Sequence, residues 1–334
     1  MNSSDGASLL CWPTLDRPFP VEIWPVTDGI VTASTGHHLK EMQFKAHETP
    51  MATITETAGV LVLYYAAVFG GNRFMKNRAP MDLNKLVMFH NLFLTLASGV
   101  LLALFLEQLV PTVARKGCFY AICNANGGWT KSLSALYYLN YLLKYVELLD
   151  SIFLVLKKKP PIFLHYYHHG ATVLLCYYQL TEPTAVSWVP ITLNLTVHVV
   201  MYWYYFQTAR GISVWWKRYI TQLQITQFVI DLAFIYYASY TYFTSAHFPW
   251  MPHAGKCTAG DKSASSGMII LTSYLCLFIA FYIRTYRSQK ARPSQQRRGS
   301  WQDIKTTNDK VRDALSASAA DGGRSLANWS LKAE

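Results

Sequence analysis

Three histidines interrupt an apolar run: His165, His168 and His169 in Phe163-Leu164-His165-Tyr166-Tyr167-His168-His169-Gly170. On a helix, offsets of three and four put all three rings within about 100° of one face. The run continues through Ala171 to Tyr178, long enough to cross a bilayer. Ionisable groups at membrane depth are costly, face a bundle interior rather than lipid, and mark functional sites. Neutral imidazole offers two chemistries there: it ligates transition metals, or it acts as nucleophile and proton carrier.

Further polar side chains lie in neighbouring apolar runs. Lys144, Glu147 and Asp150, spaced by three, form a slanting charged stripe. The competing reading is a self-neutralising pair near the interface, with Lys144 snorkelling. Two carboxylates against one amine leave a surplus that an imidazolium or guanidinium from another helix would neutralise. Asn194, His198, Met201, Tyr202 and Tyr205 align on one side of a later run. Thr221, Gln224, Gln227 and Asp231 share a face further on. Gln side chains often only glue helices together, whereas Asp231 is a bare carboxylate that needs a donor.

A membrane di-iron desaturase or hydroxylase uses several histidine boxes. This chain has ten histidines in all, and only His90, His165, His168, His169 and His198 lie in or beside apolar runs. No second His-x-x-His-His box is present, so metal chemistry is under-supplied and no metal ligand set is assigned. There is no Gly-x-Ser-x-Gly elbow either. A buried imidazole can attack a thioester, hold the acyl group and split one hard step into two. A neighbouring base sets its tautomer, and exclusion of water protects the acyl-imidazole. A chamber among apolar helices suits a long acyl chain, and cationic loops suit the phosphates of coenzyme A. A membrane metallo-oxygenase and a non-enzymatic seven-helix transporter are the competing readings.

The elements that must carry these groups are helices. The 334 residues are 51% hydrophobic and 15% aromatic but only 15% charged, where a soluble domain carries about a quarter charged. The net charge of +11 is not gathered into a nucleic-acid-binding patch; the cations flank apolar runs. Mean hydropathy is +0.13, diluted by polar ends. The chain is therefore expected to be all-α and polytopic. Seven candidate spans of about 20 residues cover 53–71, 84–106, 132–156, 161–180, 185–208, 217–243 and 266–286, and six remain possible. Residues 1–50 form an N-terminal segment with no apolar core for a cleavable leader. Residues 51–286 form the membrane domain, and 287–334 a basic tail whose Ser and Arg content reads as disordered, with Ser294 and Ser300 as candidate phosphorylation sites.

Arg73, Lys76, Arg78 and Lys85, then Lys157 to Lys159, then Arg210, Lys217 and Arg218, occupy alternate loops. Positive-inside bias puts these in the cytosol, with the C-terminus, and the N-terminus in the lumen. Cys118, Cys123 and Cys257 then lie on the oxidising side, where a bridge from Cys118 or Cys123 to Cys257 competes with three free thiols. Asn2-Ser3-Ser4 is a glycosylation sequon on that side. Bulky residues from Phe234 to Tyr240 could plug the far end of a tunnel and cap product length.

Five ordered motifs resemble those of the ELO-type very-long-chain fatty acid elongases, in their fungal branch. They are Lys144-x-x-Glu147-x-x-Asp150, His165-x-x-His168-His169, Asn194-x-x-x-His198-x-x-Met201-Tyr202, Thr221-x-x-Gln224-x-x-Gln227, and Gly71 to Pro80 after the first span. The resemblance covers about residues 50–290. It implies seven transmembrane helices in the endoplasmic reticulum, helices two to seven forming an inverted barrel around an acyl tunnel. The implied reaction is that of a 3-oxoacyl-CoA synthase: acyl-CoA condenses with malonyl-CoA, CO2 and CoA leave, and the chain grows by two carbons. By the resemblance, His168 is the acyl acceptor, His165 and His169 orient it or move protons, and His198 assists decarboxylation and enolate attack. Asn194, Tyr202, Gln224 and Gln227 position the substrates. Lys144, Glu147 and Asp150 support the site, and Arg78, Arg210, Lys217 and Arg218 are candidates for the CoA phosphates. No cofactor is implied beyond the two CoA substrates. Implied partners are membrane lipids, the reductases and dehydratase of the same cycle, and a second copy of the chain. Very-long-chain fatty acid and sphingolipid synthesis would be the destination of the product.

Overall fold

Each apolar run identified in the sequence forms helix. The computed structural model describes residues 12–159 and 162–287; the Asn2 sequon and the tail residues Ser294 and Ser300 lie outside them. Among the described residues there is no strand. After α1 (Ile23–Thr35) come α2 (Ile54–Met75), α3 (Asn84–Cys123), α4 (Ala125–Gly128), α5 (Lys131–Glu147) and α6 (Leu149–Leu156). The chain continues as α7 (Phe163–Thr181), α8 (Trp188–Ala209), α9 (Lys217–His247) and α10 (Asp261–Tyr282). One compact unit runs to Phe281. From Tyr282 the described chain is a short, wider π turn to Arg287.

Local chemistry sets the boundaries. Thr53 begins α2 with a reciprocal box: its hydroxyl accepts from Glu56 N–H, and the Glu56 carboxylate accepts from Thr53 N–H. Gly36 closes α1 at φ 78°, its N–H bonding to Thr32 O. Within α3, Gly117 at φ 82° swings the last turns aside, a conformation that costs little only for glycine.

By length and composition, four helices can cross a membrane: Ile54–Met75, Asn84–Cys123, Ala185–Ala209 and Asp261–Tyr286. The expected spans 132–156, 161–180 and 217–243 also form helix but fall below that measure. They are the segments that carry the polar residues. The expected span 132–156 is divided into α5 and α6 at Leu148. Outward faces present Val62, Leu63, Phe69, Leu96, Val100 and Ile269, large apolar side chains that lipid rather than water would accept. The chain is a membrane protein.

Two ends of the bundle differ. At one, Thr258 N–H donates to Cys123 O and Ala185 N–H to Thr258 O. There Cys123 and Cys257 form a disulfide, which decides between the two pairings left open by the sequence; Cys118 is free and exposed. At the other, Met81 N–H donates to Leu156 O. Lys157 Nζ reaches Asn84 Oδ1 at 2.7 Å, and Lys158 Nζ reaches the carbonyls of Lys76 and Arg78 at 3.1 and 2.8 Å. The helix α7 starts at this cationic end, so its histidines lie in the adjoining half of the bundle.

Candidate active site

Helix periodicity delivers the polar residues of α5, α7, α8 and α9 to a common interior. Lys144 Nζ donates to Glu147 Oε1 at 2.9 Å, one turn further along α5, and to Asn194 Oδ1 of α8 at 2.8 Å. Lys144, Glu147 and His198 are 3%, 2% and 4% exposed. Charges so buried persist only when paired and hydrogen-bonded.

The Lys144 contact orients the Asn194 amide, because an ammonium needs an acceptor. Asn194 Nδ2 then faces His198 Nε2 at 3.1 Å as a donor. This leaves Nε2 unprotonated and puts the imidazole proton on Nδ1. Nδ1 lies 3.2 Å from Glu147 Oε1, off the axis of a hydrogen bond. An imidazole oriented by Asn194 and facing a carboxylate has the arrangement a proton-transfer residue requires.

A second cluster lies beside it. Asp150 Oδ1 is 2.8 Å from His90 Nε2, and Asp150 Oδ2 accepts from the Tyr202 hydroxyl at 2.8 Å. The surplus carboxylate of the stripe is thus met by an imidazole of α3. In the sequence His90 lies in an otherwise unmarked apolar run, and nothing in its spacing points to Asp150.

In α7 the rings of His165 and His169 are 4.6 Å apart and those of His168 and His169 5.6 Å. His168 also packs against Tyr274 and Phe278 of α10, at 4.7 and 6.0 Å. Tyr274 OH and Thr172 Oγ1 both donate to the His168 carbonyl. Tyr274 and Phe278 were not anticipated: α10 reads as a uniform apolar span, and nothing in its spacing marks them. His165 Nε2 is buried without a hydrogen-bond partner.

His168 lines a cavity of about 80 Å³ with Lys144, Asn194, Gln227 and Asp231. Its remaining wall is largely apolar, including Leu175, Phe228, Ile235 and Leu271. Of the three box histidines, His168 alone lines it. Gln227 Nε2 donates to Asp231 Oδ2 at 3.0 Å, while Gln224 Nε2 reaches only Met201 Sδ at 3.5 Å. The bulky plug expected from Phe234 to Tyr240 is not formed by its tyrosines. Tyr236, Tyr237 and Tyr240 are exposed on the outer face, because a step of four from Asp231 turns Ile235 inward and its neighbours outward. A smaller cavity of about 10 Å³ follows, lined by Ile235, Ala238, Ser239 and Cys257.

The cationic candidates stand apart from this cluster. The Arg78 guanidinium lies 3.9 Å from the Phe74 ring centre, and Arg210 Nη1 donates to Gln207 Oε1. Lys217 and Arg218 open α9 in exposed positions.

The helices and the buried imidazole–carboxylate cluster define a membrane protein with an internal, mostly apolar reaction chamber. Residues 49–294 match the ELO family, described as GNS1/SUR4, and the chain belongs to that family of fatty acid elongases. It is 41% identical to putative fatty acid elongase 1 of Schizosaccharomyces pombe over 94% of this chain and 91% of that protein. It is 40% identical to putative fatty acid elongase 2 of the same yeast, over 82% and 74%. With fatty acid elongase A of Dictyostelium discoideum it shares 34% identity over 76% and 91%.

Proposed function

We propose that the protein is the condensing enzyme of fatty acid elongation, joining a long-chain acyl-CoA to malonyl-CoA. It releases CO2 and CoA and yields a 3-oxoacyl-CoA two carbons longer. The observation that carries this reading is His168 at the wall of an apolar cavity, beside Lys144 and Asn194.

In the first half-reaction a nitrogen of neutral His168 attacks the thioester carbonyl. The carbon–sulfur bond breaks, CoA leaves as the thiol, and the acyl group stays on the imidazole. Hydrogen bonds from Tyr274 and Thr172 to the His168 carbonyl fix the turn that carries the ring. His169, whose ring meets that of His168 edge to face, and His165 beyond it are suited to take its proton. In the second half-reaction malonyl-CoA loses CO2, and the resulting enolate attacks the acyl carbon and frees His168. Asn194 and His198, held by Lys144 and Glu147, are suited to orient that carboxylate. Apolar walls keep water from the intermediate.

Arg78, Arg210, Lys217 and Arg218 would meet the CoA phosphates at the cationic end. The same reading puts seven spans in the endoplasmic reticulum membrane, helices two to seven around the tunnel, and the cationic end in the cytosol. The reductases and dehydratase of the cycle would take up the product.

Purified protein given acyl-CoA alone should release CoA and carry an acyl adduct on the peptide containing His168. Adding malonyl-CoA should convert that adduct to 3-oxoacyl-CoA. Adduct formation by His168→Ala would overturn the assignment of the nucleophile.

A further inference from the structure

Asp231 is fully buried at the cavity wall, and its only hydrogen bond among the described contacts comes from Gln227 of its own helix. No protein donor reaches Oδ1. A pair within one helix ties no two helices together, so packing alone does not repay burying a carboxylate in this wall. Asn140 of α5 lines the same cavity, is 2% exposed, and has a buried Oδ1 that likewise lacks a partner. Two elements thus bring unmatched acceptors to one apolar chamber.

Aromatic contacts fix the depth of Asp231, and Asn140 is placed by its step from Lys144, which lines the cavity with His168. The Phe228 ring lies 5.7 Å from Tyr274 and 5.1 Å from Phe278, the two rings that flank His168, so Phe228 is level with the box. Asp231 is three residues further along α9, about 4.5 Å at the helical rise. Asn140 is four residues from Lys144, about 6 Å along α5. Both steps run toward the disulfide end. If the thioester is at His168 and the CoA enters from the cationic end, only acyl carbons reach this level, and these are the first few beyond the carbonyl.

We propose that Asn140 and Asp231 form a polar subsite, one turn beyond His168, that accepts the hydroxyl group of an acyl chain hydroxylated close to its thioester. This rests on the condensation reading and names a substrate class for it. A hydroxyl there finds the acceptors it would otherwise lose on leaving water, whereas a hydroxyl farther along meets Leu271 and Ile235, and the polar Gln179 and Ser187 of that wall already bond to each other and to the Ser263 carbonyl.

The full-length enzyme should be assayed with malonyl-CoA and octadecanoyl-CoA in three forms: unsubstituted, hydroxylated within the first few carbons, and hydroxylated mid-chain. Wild type should use the first hydroxylated form about tenfold better, by kcat/KM, than the mid-chain form. Asp231→Leu and Asn140→Leu should each lower the ratio of near-hydroxylated to unsubstituted turnover about tenfold. Asp231→Asn, which keeps an acceptor, should hold most of that ratio. Equal use of the two hydroxylated forms by wild type would overturn the subsite, whether or not the leucine variants fold, as would an unchanged ratio in those variants. Failure of wild type to extend the unsubstituted chain would instead sink the condensation reading.

Discussion

Lys144 illustrates how much rests on single residues in this interior. Its ammonium is held by Glu147 and Asn194, and the same Glu147 oxygen faces His198. Removing one partner of a buried ion pair leaves an uncompensated charge and costs about 3–5 kcal/mol, whereas replacing both by apolar groups is often neutral. Lys144→Met should therefore lower the thermal unfolding midpoint in detergent sharply. The double variant Lys144→Met/Glu147→Leu should recover most of the loss while remaining inactive, because Asn194 and His198 lose the contacts that set their orientation. Full recovery of activity along with stability would show that the pair is only structural.

At the scale of elements, the close approach of α2 to α7 is what holds the histidine box in register. A methyl group on Gly170 would meet the Tyr65 hydroxyl at 2.2 Å and its ring at 2.8 Å, so small size there permits the contact. Gly170→Ala should drive the Tyr65 ring into Tyr64 and Phe69, against which it packs, or part α7 from α2, destabilising the fold by about 1–3 kcal/mol and lowering elongation activity through displacement of the adjacent His168 and His169. Tyr65→Leu should restore both in the Gly170→Ala background. No rescue in a double-mutant cycle would mean that another contact sets the spacing. The same scale shows what the sequence carries. Every apolar run became helix because hydrophobic length is a local property, and His165, His168, His169, Asn194 and Asp231 stood out because polarity in an apolar run is local too. The His90–Asp150–Tyr202 contact, the Tyr274 ring under His168 and the outward turn of Tyr236 and Tyr237 depend on how helices rotate against each other, and single-helix periodicity leaves that rotation open. The division at Leu148 was illegible because Leu148 and Leu149 continue the helical pattern, and the run of α3 past residue 106 to its turn at Gly117 because Glu107, Arg115 and Lys116 read as the end of a span.

For the whole molecule the decisive property is asymmetry between its ends. From α2 onward, Arg73, Lys76, Arg78, Lys85, Lys157, Lys158, Lys159, Arg210, Lys217 and Arg218 belong to the loops and helix ends at the His-box end, whereas the disulfide end has the sparser Arg115, Lys116, Lys131, Lys256 and Lys262, to which the segment before α2 adds Arg17, Lys40 and Lys45. Positive charge is retained on the cytosolic side during insertion, and a disulfide persists on the oxidising side. The bridge between Cys123 and Cys257 and the cationic loops thus point to the same orientation by independent physics. Cys118 reports on it directly, being free, exposed and close in sequence to Cys123. In a chain with Cys11, Cys176 and Cys276 replaced by serine, a membrane-impermeant maleimide added to sealed microsomes should leave Cys118 unlabelled, and permeabilisation should make it react. Labelling before permeabilisation would invert the protein. The imidazole cluster would then open toward the lumen, away from the side on which positive-inside bias puts the cations suited to CoA phosphates.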